Sequence, residues 1–398
     1  MKVTSKHDYT GGHSVELLHS GEPFFVANVS AIDKAKKYIH FQSYIIDEDE
    51  TGLRIIDALL RAAGRGVRIY LLLDAYGTKY LSGDLIKKID DSGILFRFFS
   101  PAFITKGFQL SLRLHHKVLL VDGELAIIGG MNFADRYRGT SRKKEWLDFG
   151  LIVKGPECVH INSILRKLWN KTFLSREERS NEILHSAKTY DENVRLRITE
   201  NNWYRNKIEI LRSYRSAFKH AQHHMIIFAS YFLPGRLERK LLRLASARGV
   251  DIKIVLAAES DAPIFKRATK FLYEYILRKN IKIYEYLPSN LHAKVATVDG
   301  KWCTFGSYNL NHLSDYGSVE MNVDILDSSF TEEFEKILLK IIKNHCRQVT
   351  FKDFLLKKRW VTQFSGWISY QMIRLIMRIM AQMTSKKGKR TMPPLKVD

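Results

Sequence analysis

"LHHKVLLVDG" (residues 114–123) brings a histidine and a lysine to the mouth of an apolar run that closes on Asp-Gly, and "LHAKVATVDG" (291–300) does so again. Along a strand, residues two apart share a face. His115 and Lys117 therefore project together, as do His292 and Lys294, while "VLLV" reads as a strand covered on both sides. The two stretches belong to a longer repeat. "FQSYII" (41–46) matches "FASYFL" (228–233), "RAAGRGVRIYLLLD" (61–74) matches "RLASARGVDIKIVL" (243–256), and "HHKVLLVDGELAIIGGMN" (115–132) matches "HAKVATVDGKWCTFGSYN" (292–309). The offset shrinks along the chain, from 187 at Phe41/Phe228 to 183 at Arg65/Arg248 and 177 at His115/His292, so the copies differ by small loop deletions. A unit this long means two similar domains, not a solenoid, whose repeats run to about 20–50 residues.

Each copy reads β-α-β-α-β and then a hairpin. In the first, "YIHFQSYII" is a strand, and Leu53, Ile56, Leu59 and Leu60 fall at helical spacing until Gly64 and Gly66 end the helix. "VRIYLLLD" is a second strand, "DLIKKID" a short helix and "ILFRFF" a third strand. "KVLLVD" and "LAIIGG" form a hairpin around the turn signal "DGE". The expected organisation is a first domain over 1–172, closed by a helix at 156–172, a polar linker over 173–195, a second domain over 196–347, and a tail of different character over 348–398. The expected fold class is α/β, in two similar domains.

The chain has 398 residues, 45% of them hydrophobic, enough for two domains with proper cores. Its formal charge is +22, which suits a polyanionic partner: a nucleic acid or an anionic membrane surface. The three cysteines, Cys158, Cys303 and Cys346, are scattered, so neither a disulfide framework nor a zinc site is expected and a reducing compartment fits. The N-terminal stretch shows no apolar core of a signal peptide, and no segment reads as a spanning helix.

Both copies carry His-x-Lys-x4-Asp followed, at the same spacing, by Gly-(Gly/Ser)-x-Asn: His115, Lys117, Asp122, Gly129, Gly130, Asn132 and His292, Lys294, Asp299, Gly306, Ser307, Asn309. With the hairpin folding Asn132 back beside His115 and Asn309 beside His292, two patches facing across a pseudo-twofold axis would gather two His, two Lys and two Asn around one point. That set suits a phosphodiester. Lysines neutralise the non-bridging oxygens and asparagines donate to them, one imidazole attacks phosphorus, and the other protonates the leaving oxygen. Asp122 and Asp299 sit at the far end of the strand and read as turn anchors, although they complete the motif. Asp148 and Glu320 occupy matching places after the hairpins, where a carboxylate can orient an imidazole.

On these residues the sequence resembles the phospholipase D superfamily, whose signature is the duplicated His-x-Lys-x4-Asp. More narrowly it resembles bacterial cardiolipin synthases, in the shorter class without N-terminal transmembrane helices. "LLLDAYGT", "IGGMNFAD", "SYFLPG" and "GSYNLNHLS" carry the likeness. The resemblance implies two α/β domains, each a mixed sheet flanked by helices and the two related by a pseudo-twofold axis, with one active site between them and a two-step phosphatidyl transfer without metal or other cofactor. Its catalytic set would be His115, Lys117, Asp122, His292, Lys294 and Asp299. Lys117, Asn132, Lys294 and Asn309 would bind phosphate, and Asp148 and Glu320 would orient the histidines. His115 is favoured as nucleophile, though the pseudosymmetry leaves the choice open, and His116 points away by strand alternation. The implied reaction joins two phosphatidylglycerols into cardiolipin and releases glycerol; a phospholipase D hydrolase, a phosphatidylserine synthase type, a nuclease and a lipid-binding scaffold are the alternatives.

The tail separates membrane from nucleic acid. Residues 351–398 hold eleven Lys/Arg against two Asp, and Trp360, Phe364, Trp367, Ile368, Ile373, Leu375, Ile376 and Ile379 lie among them. Arg374 and Arg378 interrupt the apolar run, which argues for a helix lying in an anionic interface, with "KKGKR" (386–390) as a polybasic end. The other reading is a helix packed back on the domains. The basic, apolar stretch 100–116 is expected to guide a lipid toward His115. The expected partners are phosphatidylglycerol and an anionic membrane surface, with no nucleic acid. The expected location is peripheral, on the cytoplasmic side of the cell membrane.

Overall fold

The computed structural model describes residues 8–99, 113–171, 179–202, 207–311, 314–315, 317–357 and 360–387. The first half contributes strands β1 (Thr10–His19), β2 (Tyr38–Ser43), β3 (Arg68–Asp74), β4 (Leu95–Phe99), β5 (Arg113–Leu114), β6 (Lys117–Val121), β7 (Leu125–Gly129) and β8 (Phe149–Lys154). The second contributes β9 (Val194–Asn202), β10 (Lys207–Ile208), β11 (His224–Ala229), β12 (Asp251–Ala257), β13 (Lys282–Tyr286), β14 (Lys294–Val298), β15 (Trp302–Gly306), β16 (Ser318–Ile325) and β17 (Cys346–Val349).

The two halves repeat one topology. β2, β3 and β4 run parallel, β6 pairs antiparallel with β2, and β7, β8 and β1 continue outward. In the second half β11, β12 and β13 run parallel, β14 pairs antiparallel with β11, and β15, β16 and β9 follow. β1 then pairs antiparallel with β9, with a register shift between Thr10 and His13, and joins the two sheets into one. The pseudo-twofold axis passes through that seam. β17 adds an edge strand to β13, so the second sheet runs two residues past the expected boundary at 347.

Each hairpin strand is buried on both faces, as its unbroken apolar run requires. From β6, Leu119 and Val121 enter a core with helices Glu22–Lys34, Glu50–Gly64 and Gly83–Asp91. Val118 and Leu120 enter a central core shared with the second half, where Val295, Phe305 and Phe228 meet helices Glu157–Lys171 and Ser328–His345. Local chemistry sets the helix ends. Asp49 accepts from Gly52 N at the start of Glu50–Gly64, and Gly66 takes φ +84° just beyond its end.

β1 and helix Glu22–Lys34 were not expected from the residue pattern, because "TGGHSVELLH" shows neither a clean alternation nor an apolar run. The tail also departs from a free amphipathic segment. Helix Trp360–Lys387 lies along helix Pro263–Leu277: Ile373 is buried in the second-half core, Tyr370 stacks near Phe271, and Arg239 donates to the Tyr370 hydroxyl. Trp360, Phe364, Trp367, Ile368 and Leu375 nevertheless stay exposed. No described helix is long and apolar enough to cross a membrane. The stretch 100–112 and the end of the polybasic segment from 388 lie outside the described residues.

Candidate active site

The motif strands begin where the halves exchange backbone. β5 pairs parallel with the start of β16, Leu114 against Val319, and Leu147 bridges to Leu291 in the matching way. One residue further on, His115 N donates to Val319 O (3.0 Å) and His292 N donates to Leu147 O (2.8 Å). Each motif histidine is thus set beside the carboxylate of the other half. His115 Nδ1 lies 2.8 Å from Glu320 Oε2, and His292 Nδ1 lies 2.6 Å from Asp148 Oδ2. The sequence marks Asp148 and Glu320 as a matched pair, and the structure pairs them crosswise.

The small residues of Gly-(Gly/Ser)-x-Asn acquire a reason. A Cβ on Gly130 would stand 2.5 Å from Asp148 Oδ2, so only glycine leaves room for that carboxylate. At the same place in the second half, Ser307 donates its hydroxyl to Glu320 Oε2, and Ser318 donates to Oε1 over 2.7 Å. Glu320 therefore sits in a ring of donors, and Asp148 sits against the space that Gly130 leaves open. Burial works against ionisation of Glu320, but His115, Lys117 and Ser307 together hold its carboxyl below the usual range. Burial pushes Asp148 up to about 7 despite Lys294 and Lys117.

Both lysines are buried, Lys117 at 1% and Lys294 at 2% exposure. Lys117 Nζ donates to His115 O (2.9 Å) and lies 5.1 Å over the Tyr44 ring, and Lys294 Nζ lies 2.9 Å from His292 Nδ1. Burial lowers them to about 7 and about 8, and an anion beside them favours their charged forms. Burial also lowers both histidines, His292 further than His115; Glu320 opposes the shift at His115, and Lys294 and Lys117 deepen it at His292. Asn132 and Asn309 are buried, and each leaves its side-chain oxygen without a hydrogen-bond partner. An amide oxygen is an acceptor, so any contact of these side chains with a phosphate oxygen falls to their NH2 groups.

Asp122 and Asp299 do not join this group. Each occupies the left-handed region, at φ +53° and +55°, in the Asp-Gly turn at the far end of its strand. Asp122 accepts from the backbone N–H of Lys36, Lys37 and Tyr38, and Asp299 from Gln222, His223 and His224. These bonds tie each hairpin to the neighbouring parallel strand, at the end of the motif strand away from the histidine. His116 points to the inner core, where its Nδ1 meets Gln42 Oε1 at 3.0 Å.

The family model for "Cardiolipin synthase, PLD-like domain" matches residues 29–169 and 214–342. The chain belongs to the cardiolipin synthase family of phospholipase D-like enzymes. It is 30% identical over 91% of its length to cardiolipin synthase B of Salmonella typhimurium, covering 88% of that protein. It is 28% identical over 94% of its length to a cardiolipin synthase of Clostridium perfringens, covering 78% of it. The solved phosphatidylserine synthase of Haemophilus influenzae shares the fold, with a TM-score of 0.66 at 14% identity, over 96% of this chain and 97% of that one. As a member of this family the protein is a phosphatidyltransferase. Sequence reasoning missed Tyr44 and Tyr137, whose rings pack 5.0 Å from His115 and His292; aromatic residues off the motif carried no signal of that contact.

Proposed function

We propose that this enzyme makes cardiolipin from two phosphatidylglycerol molecules, releasing glycerol through a phosphohistidine. The crosswise histidine–carboxylate pairing carries the reading: both imidazoles, held by opposite halves, serve one centre. In the first step His115 Nε2 attacks phosphorus, the bond from phosphorus to the glycerol oxygen breaks, and His292 gives that oxygen a proton. In the second, a hydroxyl of another phosphatidylglycerol loses its proton to His292 and attacks phosphorus, and the N–P bond breaks. Lys117 and Lys294 neutralise the non-bridging oxygens, with Asn132 and Asn309 as donors. Glu320, held ionised, supports His115 as nucleophile because it stabilises the imidazolium-like charge of an attacking ring.

The same reading gives the chain two catalytic domains, 1–172 and 196–347, joined by the segment 173–195. It places the enzyme peripherally on the cytoplasmic face of an anionic membrane, through the exposed tryptophans of helix Trp360–Lys387 and the chain's positive charge, with no role for nucleic acid. The test is mass spectrometry of lipids after incubation of the purified protein with phosphatidylglycerol vesicles. Cardiolipin and glycerol in equal amounts support the reading. Phosphatidic acid alone would make the protein a hydrolase, and no lipid product would remove phosphatidylglycerol as its donor.

A further inference from the structure

The two halves differ around the site, and one of the differences is a phenol hydroxyl. Tyr137 stands on the helical turn Asp135–Arg138 after the first hairpin, and it is 2% exposed. Its hydroxyl lies 3.5 Å from His292 Nε2, the ring nitrogen opposite the one that faces Asp148. That spacing is longer than a made hydrogen bond, and such contacts tighten when a substrate complex forms. Asn132 Nδ2 donates to the same hydroxyl over 2.7 Å, which leaves the phenolic proton to point at the imidazole. The rings of Tyr137 and His292 meet edge to face at 81°. Trp146 lies 5.0 Å from Tyr137, and Arg136 lies over both of those rings, so the wall around the contact is firm.

Among the described residues the second half has no equivalent. Counting five residues on from the motif asparagine, Ser314 takes the place of Tyr137, and its Oγ accepts from the Asn309 backbone N–H. The hydrogen bonds described for the His115 side chain run through Nδ1, to Glu320 and to the Ser307 carbonyl. Burial also holds the Tyr137 hydroxyl well above its ordinary range, so it keeps its proton through the cycle.

We propose that Tyr137 is a positioning residue that holds Nε2 of His292 for proton transfer, and that this contact, with no counterpart at His115 among the described residues, makes His292 the acid–base partner. The inference rests on the reading of His115 and His292 as the reacting pair. Once His292 has given its proton to glycerol and while the phosphohistidine waits, the Tyr137 proton is shared with the Nε2 lone pair. An acceptor hydroxyl displaces it, Nε2 takes the acceptor's proton, and no bond to Tyr137 breaks. The other charged and titratable groups around this ring are Asp148, Lys294, Lys117, His115 and Arg136, none of which supplies a neutral hydroxyl donor.

The experiment uses the full chain with ¹⁵N-labelled histidine, the His292 signals being assigned by their loss in His292→Ala. Tyr137→Phe keeps the ring and removes the hydroxyl. The expected result is a moved His292 Nε2 signal and a kcat reduced about tenfold or more, consistent with the usual size of acid–base effects, while KM stays within about twofold and the melting curve is unchanged. An unmoved Nε2 signal overturns the proposal even if kcat falls, since the role would then be one of packing. Should Tyr137→Phe fail to fold, 3-fluorotyrosine at position 137 acidifies the hydroxyl and must move the Nε2 signal in the sense of a stronger hydrogen bond; an unmoved signal there overturns the proposal as well. Full activity in His292→Ala would instead sink the underlying pair of reacting histidines and leave the Tyr137 contact itself standing.

Discussion

Glu320→Gln tests the crosswise site most directly, because it alters one half and should disable a histidine of the other. The carboxylate receives His115 Nδ1 at 2.8 Å, with Ser307 on the same oxygen and Ser318 on the other. A glutamine fills the same space. Ser318 can rotate to accept from its NH2 group, so His115 can keep its tautomer, and the main loss is charge. With charge centres ~4 Å apart at an effective dielectric of ~20, a unit pair is worth ~4 kcal/mol. At ~1.36 kcal/mol per decade, that is about a thousandfold in kcat. The assay is steady-state cardiolipin formation in mixed micelles, beside vesicle sedimentation and a thermal melt. The expected outcome is a collapse of kcat with lipid binding within about twofold. A loss under tenfold, or one confined to KM, would refute the argument. Asp148→Asn gives the contrast. Burial raises that carboxyl to about 7, so at pH 6 the asparagine replaces a group already largely protonated and should cost less than Glu320→Gln; the gap should narrow above pH 7.

His115→Ala and His292→Ala should each abolish turnover with the fold intact by circular dichroism, and the double variant should be no worse than either, because both rings serve both steps. The value of kcat/KM for phosphatidylglycerol should fall as pH rises through about 7 to 8, because Lys117 and Lys294 lose the protons that attract phosphate; a flat profile to pH 9 would contradict their assigned role. Asp299→Ala should lower stability by about 2–3 kcal/mol in urea melts, from three lost charge-assisted bonds, and leave the folded enzyme active. Because the folded-state pKa of Asp299 is depressed, its contribution is present above pH ~4 and lost as pH falls through the folded value, so wild type and variant should converge in acid. Trp360→Ala with Trp367→Ala should weaken sedimentation with phosphatidylglycerol vesicles without moving the melt, since both rings are exposed, whereas truncation after Val349 should also destabilise by removing buried Ile373.

What the sequence exposed was whatever repeats or alternates. His115 and Lys117 declared themselves through the two-residue period and their echo at His292 and Lys294, and the hairpins through Asp-Gly. What stayed hidden depends on register between distant strands. Nothing in "SVEMNVD" says that Val319 lies beside Leu114, yet that bridge delivers Glu320 to His115. β1 was invisible because its partners, β8 and β9, lie far along the chain and supply the order its own composition lacks. The tail's composition suggested an interfacial helix but could not reveal that Tyr370 and Ile373 are spent on helix Pro263–Leu277.

The exchange of carboxylates restricts how a lipid reaches the phosphate site. A clam-shell opening of the halves would pull Glu320 from His115 and Asp148 from His292 together, and would tear the β5–β16 and Leu147–Leu291 bridges that hold them. Two buried hydrogen-bonded rings would be stranded at once, each leaving a polar group unsatisfied at a cost of about 1–3 kcal/mol. An exchange of glycerol for a second lipid that parted the halves would therefore meet this cost twice, and an exchange that leaves them together avoids it.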